Sequence, residues 1–164
     1  MVESAFGKEF EFSFTRERFE DYKRGAIHSE WFEKYPQLFD QDDYRIVVNQ
    51  HHLGYHFFEM LSSILLYEAT GFCSLLEKYS SPSHTVKHDR LVATVPRNLL
   101  KCFNNYPGEP DLFCYHPNRS DWFLAEVKGH KDIIRKNQRD WSQRLISAGG
   151  PAVRMILLKE LPAA

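Results

Sequence analysis

Apolar residues recur along the chain with two periods, one typical of helices and one typical of strands. Positions 57, 58, 60, 61, 64, 65 and 67 have the spacing of a largely buried helix between Tyr55 and Thr70, and Gly71 follows where a terminating glycine is expected. Further helices are predicted over 16–24, 29–35 and 132–148, and strands over 91–95, 111–115, 122–128 and 153–158. Residues 44–49 fit a short strand or a lead-in segment. This order predicts an α/β fold with a small central mixed β-sheet flanked by helices.

Length and composition narrow the class of protein. A chain of 164 residues that is 43% apolar can bury one core. No apolar stretch approaches the ~20 residues that cross a bilayer, and the first residues do not resemble a secretory leader. The three cysteines include no C-x-x-C pair, which favours reduced thiols in a cytosol-like compartment. We therefore expect a cytoplasmic protein that has no membrane partner.

Charge is unevenly distributed although the net charge is only −1. Residues 1–45 hold eleven acidic residues and seven lysines or arginines, whereas residues 128–144 hold six lysines or arginines and two acidic residues. The second segment fits a nucleic-acid contact surface and fits equally an ordinary solvated helix of mixed charge.

Two carboxylates and a lysine are expected to converge at one edge of the sheet. Asp111 follows the turn sequence NNYPGEP, while Glu126 and Lys128 stand at the end of the second strand of a predicted hairpin, with Val127 turned to the other face. Carboxylates on adjacent strand ends, together with the Val127 carbonyl, can hold one or two Mg²⁺ or Mn²⁺ ions. Such an ion polarises a phosphoryl oxygen and lowers the pKa of bound water. A lysine beside it can position that water or stabilise the charge that develops on phosphorus.

Residues 108–145 resemble the VRR-NUC (virus-type replication–repair nuclease) family of the PD-(D/E)xK nuclease superfamily. The family pattern is Gly-x-Pro-Asp-Leu, then Glu-Val-Lys-Gly, then an aspartate, then Gln-x-x-Trp. The chain carries these residues in that order: Gly108, Pro110, Asp111, Leu112, Glu126, Val127, Lys128, Gly129, Asp132, Gln138 and Trp141. The family includes the C-terminal domain of the Fanconi-associated nuclease. The resemblance implies a restriction-endonuclease-like core over 51–164, with residues 1–50 as an extra helical and aromatic extension packed on it.

The resemblance also implies roles for individual residues. Asp111 and Glu126 would bind the metal with the Val127 carbonyl, and Lys128 would act in catalysis. A further metal-binding and catalytic glutamate is expected from the first core helix. Glu59 is favoured and Glu68 is its rival, and because nine residues separate them on a helix they face nearly opposite directions.

Residues after the second strand are expected to serve the same site. Gln138 fits a residue that supports the site near Lys128 or one that contacts DNA, and Trp141 fits core packing. Four basic residues would line the phosphate path, although each one alone fits solvated surface equally well: Lys131, Arg135, Lys136 and Arg139.

Histidines form two pairs with a spacing of four residues, His52/His56 and His84/His88, but neither pair has the HExxH form of a zinc site. We interpret them as surface or hydrogen-bonded histidines. His52 or His56 near the helix that carries Glu59 could also contact DNA.

Together these features predict a Mg²⁺- or Mn²⁺-dependent deoxyribonuclease that cuts branched or flapped DNA by its structure. Two roles fit such an enzyme. One is DNA repair or junction resolution, for which small relatives act as homodimers. The other is the toxin module of a bacterial effector, delivered into a target-cell cytoplasm and neutralised by an immunity protein. A third hypothesis is an inactive module that keeps the nuclease fold and binds DNA structures or proteins.

Overall fold

The computed structural model describes residues 6–104, 106–129 and 131–163. The strands are β1 (Phe6–Phe14), β2 (Cys73–Leu76), β3 (Leu112–Tyr115), β4 (Trp122–Gly129) and β5 (Val153–Glu160). The helices are α1 (Arg16–Lys23), α2 (His28–Lys34), α3 (Gln41–Gln50), α4 (Phe57–Thr70), α5 (Thr85–Thr94) and α6 (Lys136–Ser147). Two 3₁₀ turns cover His51–Leu53 and Arg97–Cys102.

One mixed sheet has the strand order β1-β5-β4-β3-β2. The β2/β3 and β3/β4 pairs are antiparallel, and β5 is parallel to both β4 and β1. The parallel step from β4 to β5 needs a long crossover, which α6 supplies. Since helices flank this sheet, the predicted α/β class with a small mixed sheet is confirmed.

Aromatic side chains attach the helices to the sheet. Phe57 of α4 is fully buried and its ring lies 5.8 Å from that of Phe14 in β1. Trp141 of α6 is 1% exposed and lies 5.3 Å from Phe103, which also contacts Trp122 of β4. The prediction that Trp141 packs in the core is therefore confirmed.

Three local predictions differ from the structure. The strand predicted over 91–95 is wrong, because this segment ends α5, where Lys87 and Leu91 are buried at helical spacing. The strand alternative for 44–49 is also wrong, since this segment lies in α3, which a capping box of Asp40 and Asp43 starts. The helix predicted from residue 132 begins at Lys136 instead.

The first fifty residues contain the expected helices α1 and α2, together with helix α3 and a strand, β1, that the sequence did not predict. β1 pairs in parallel with β5 along almost its whole length and forms one edge of the sheet. The three cysteines are free and buried, in agreement with the expected reduced thiols. Within the described part of the chain, no helix has the length and apolar character of a membrane span.

Candidate active site

The antiparallel ladder between β3 and β4 ends at Pro110, which precedes β3. Leu112 pairs with Ala125, so continuing the register places Pro110 opposite Val127. Proline has no N–H, so Pro110 cannot donate a ladder hydrogen bond to the Val127 carbonyl. The Pro110 carbonyl accepts a 2.6 Å hydrogen bond from the Tyr79 hydroxyl. The Val127 N–H donates to Asp111 Oδ2 at 2.8 Å. Because the N–H and C=O of one strand residue point to the same side, the Val127 carbonyl lies on the side of Asp111.

Glu126 and Lys128 are buried at the end of β4, with 2% and 8% exposure. Lys128 Nζ lies 3.7 Å from Glu126 Oε1, and the same oxygen accepts a 2.5 Å hydrogen bond from Gln138 Nε2. Gln138 also accepts the Arg135 N–H at 2.9 Å, which ties the start of α6 to the site. The structure therefore brings Asp111, Glu126, Val127 and Lys128 together, with Gln138 holding the glutamate.

Burial raises the pKa of both strand carboxyl groups. The pKa of Glu126 is raised to about 9, first by burial and then by the charge of Asp111, while Lys128 opposes the shift. Burial likewise raises the pKa of Asp111, against the stabilising hydrogen bond from the Val127 N–H. Two buried acids this close favour sharing a proton when no cation is bound. A divalent ion would take the place of that proton.

Glu59 approaches this pair from the first turn of α4. Its pKa is raised to about 7, first by burial and then by the charges of Asp111 and Glu77. Glu68 instead accepts a hydrogen bond from the Tyr35 hydroxyl. Of the two rival glutamates, Glu59 is therefore the one whose pKa responds to the charge of Asp111.

The basic residues predicted to contact phosphates are all exposed: Lys131, Arg135, Lys136 and Arg139. Lys136 forms a surface ion pair with Asp140 at 2.7 Å, and Arg139 donates to the Ile134 carbonyl at 3.1 Å. Arg135 is the member whose charge reaches the site, since it opposes the rise in the Glu126 pKa. Gln138, by contrast, is 5% exposed, so its contact with Glu126 favours a supporting role over contact with DNA.

Residues around β2 complete the site and were missed by pattern analysis. The Glu77 N–H donates to the Asp111 carbonyl at 3.2 Å, and the Ser80 hydroxyl donates to the Glu109 carboxylate at 2.7 Å. Tyr79, which holds Pro110, is fully buried. These residues follow a four-residue edge strand that has no clear alternation, so the sequence carries no local signal for their role.

The donor set fits a hard divalent cation. Asp111, Glu126 and the Val127 carbonyl supply oxygen ligands only, which Mg²⁺ and Mn²⁺ prefer. Among the residues that the structure describes, no three His, Cys, Asp or Glu side chains are grouped closely enough to hold an ion. Glu59 therefore does not form a three-carboxylate cluster with Asp111 and Glu126 in this structure.

Comparisons with known proteins identify the family of the chain. A crystal structure of paFAN1 bound to 2-nt 5′-flap DNA with a gap is 22% identical, with a TM-score of 0.38. The match covers 46% of this chain and 15% of that one, too little to support a functional argument. No curated protein matches the sequence significantly. The family model of the VRR-NUC domain matches residues 72–155, 84 of the 164 residues, and so includes β2, β3, β4, the start of β5 and the strand carboxylates. The chain therefore belongs to the VRR-NUC family of nuclease domains.

Proposed function

We propose that the protein is a metal-dependent DNA endonuclease that selects branched or flapped DNA by its structure. One observation supports the proposal: the Asp111 and Glu126 side chains contact each other at the end of the β3/β4 ladder, with the Val127 N–H bound to Asp111 and the Lys128 amine 3.7 Å from the glutamate. Membership of a nuclease family supports phosphodiester hydrolysis as the reaction.

Asp111, Glu126 and the Val127 carbonyl would hold Mg²⁺ or Mn²⁺, with Glu59 completing the site. The bound ion would polarise a phosphoryl oxygen and lower the pKa of a water molecule. Lys128 would stabilise the negative charge that develops on the phosphoryl oxygens, an interaction that is strong in a buried site. Gln138 would keep Glu126 turned toward the ion, because it occupies one carboxylate oxygen and anchors it to α6.

Selection by shape agrees with the surface beside the site. Four exposed lysine and arginine side chains lie before and within the first turn of α6, and such side chains bind phosphates without reading the base sequence. Lys131, Arg135, Lys136 and Arg139 are therefore proposed as phosphate contacts.

Purified protein should be incubated with Mg²⁺ or Mn²⁺ and a panel of duplex, flap and four-way DNA. We expect cleavage of the branched substrates, its loss in EDTA, and its loss in Lys128→Ala with DNA binding retained. Lys101→Ala is the control, since this exposed lysine lies on the 3₁₀ turn before Phe103. Undiminished cutting by Lys128→Ala would refute the assignment.

Two biological settings remain proposals. As a repair or junction-resolving enzyme the protein would work in the cytoplasm, and symmetric cutting of two strands would require a homodimer. As a toxin module it would act in a target-cell cytoplasm and be bound by an immunity protein. Growth arrest with DNA damage on expression favours the toxin, and tolerance favours repair. The inactive-module hypothesis predicts instead that every substrate is bound and none is cut.

A further inference from the structure

Left-handed backbone marks a turn beside the carboxylates. In the described part of the chain, positive φ angles at residues other than glycine occur at His56 (69°), Glu77 (36°) and Lys78 (53°). Two of these residues contact each other, since His56 Nδ1 lies 3.4 Å from Glu77 Oε1. Left-handed backbone at such residues costs of order 1–3 kcal/mol and persists only where surrounding contacts enforce it, most often at functional sites.

The His56–Glu77 pair connects the elements that carry two of the candidate metal ligands. His56 caps the start of α4, one turn before Glu59. Glu77 follows β2, and its N–H donates to the Asp111 carbonyl at 3.2 Å. The ion pair therefore joins the residue that caps the start of α4, three positions before Glu59, to the residue whose N–H binds the Asp111 carbonyl.

The surroundings of His56 favour its protonated form. Its Nε2 lies 2.9 Å from Gln50 Oε1 and its Nδ1 faces the Glu77 carboxylate, and the hydrogen bond with Glu77 raises the pKa of His56. His56 makes the largest contribution that lowers the pKa of Glu77, with smaller contributions from Lys87 and Lys78. Glu77 is a further carboxylate near Glu59 and Asp111.

We infer that the His56–Glu77 ion pair is a positioning device for the metal site, which fixes Glu59 of α4 relative to Asp111. The inference rests on the proposed metal-dependent function. Neither residue is a ligand in this arrangement. Each acts through the residue that it holds, as hydrogen-bond partners of metal ligands commonly do, and loss of such partners weakens metal affinity by about 10–100-fold.

The test uses His56→Asn and Glu77→Gln, because asparagine tolerates left-handed backbone and glutamine removes only the charge. Mn²⁺ binding, measured without DNA by the electron paramagnetic resonance signal of free Mn²⁺, should weaken at least about ten-fold in each variant. The Mg²⁺ concentration that gives half-maximal cleavage should rise in parallel. The double variant should bind no more weakly than either single variant, because both changes break one contact.

His84→Asn is the matched control. The His84–Asp42 pair has a similar distance of 3.0 Å and similar side-chain exposure, 23% and 36% against 18% and 39%, but it joins the start of α5 to α3. Its loss should leave Mn²⁺ affinity within about two-fold of the unaltered protein, well below the loss expected at the site.

The outcomes separate the inference from the proposed function. If the unaltered protein binds Mn²⁺ and cuts DNA but His56→Asn and Glu77→Gln bind Mn²⁺ as it does, only the positioning role is overturned. An equal loss in His84→Asn also overturns it, since the effect would then be a general loss of stability. If the unaltered protein neither binds Mn²⁺ nor cuts, the proposed function and the inference fail together.

Discussion

Gly108 allows the turn before Asp111 to approach the start of α6. Its φ angle is +91°, and a Cβ atom at this position would lie 2.2 Å from the Asn137 carbonyl oxygen and 2.9 Å from the Gln138 nitrogen. These atoms belong to the backbone, which cannot rotate aside as a side chain does. Replacing Gly108 by alanine must therefore push apart the segments that carry Asp111 and Gln138.

An alanine at Gly108 has two effects, strain in left-handed backbone and a steric clash, and Gly149 serves as a control that separates them. It has the same φ of +91°, but a Cβ atom there would meet nothing within 4 Å. Gly149→Ala should thus show the backbone penalty alone, about 1–2 kcal/mol. Gly108→Ala should add overpacking of about 1–3 kcal/mol, for a total of about 2–5 kcal/mol. Ordinary van der Waals contact begins near 3.4 Å, so relieving the 2.2 Å contact requires a shift of about 1 Å. Misplacement of catalytic groups by that distance can lower the rate of cleavage by about 100-fold.

Urea unfolding of the two variants gives the stability difference, and single-turnover cleavage of flap DNA at a temperature where both are folded gives the rate. We expect Gly149→Ala to cut at the rate of the unaltered protein and Gly108→Ala to cut about 100-fold more slowly. Equal stability and equal rates in the two variants would show that the turn and α6 are not in close contact, and would remove the support that Gln138 gives to Glu126.

Three further predictions concern Glu59 and the Lys87–Asp43 ion pair. Glu59→Gln should abolish cleavage while Glu68→Gln leaves it unchanged, and the reverse result in the same assay would exchange their roles. The metal-free protein should lose stability as pH rises through about 7, because the Glu59 pKa is raised from its ordinary 4.5 and the folded state binds the extra proton below that value. Melting temperatures in EDTA that do not fall with pH, or that fall equally in Glu59→Gln, would contradict this. Lys87→Met should destabilise the protein by about 3–5 kcal/mol in urea unfolding because it leaves Asp43 buried and unpaired, and Asp43→Asn in the same chain should restore much of the loss. A change below about 1 kcal/mol would contradict the last prediction.

The hairpin was predictable because its signals are local. Turn residues bound it, β-forming residues fill it, and Pro110 and Gly129 stand at its ends. The spacing between Asp111 and Glu126 fixed the cross-strand register within one segment of chain, so their convergence could be expected without knowledge of the rest of the sheet.

β1 and α5 were less predictable because neighbours distant in sequence decide their structure. β1 alternates phenylalanine with charged residues over EFEFSF, but it becomes a strand by pairing with β5, some 145 residues later. The segment Leu91–Val95 is rich in β-forming residues, yet buried Lys87 four residues before Leu91 commits it to a helix. In a sequence, a lysine normally indicates an exposed position. Lys87 is buried because its charge pairs with that of Asp43 in α3, 44 residues earlier in the chain.

The contact between Lys87 and Asp43 also explains how the first fifty residues support the site, although all the candidate metal ligands lie after residue 50. Lys87 Nζ donates to Asp43 Oδ1 at 2.7 Å and to the Leu76 carbonyl at 2.5 Å. Leu76 ends β2 immediately before Glu77, whose N–H donates to the Asp111 carbonyl. A buried ion pair is weak support for net stability, but it fixes geometry strongly because either charge alone is costly to bury. The extension thus constrains the strand end from which Glu77 reaches both Asp111 and His56, so its removal should disturb the carboxylates even where the core still folds.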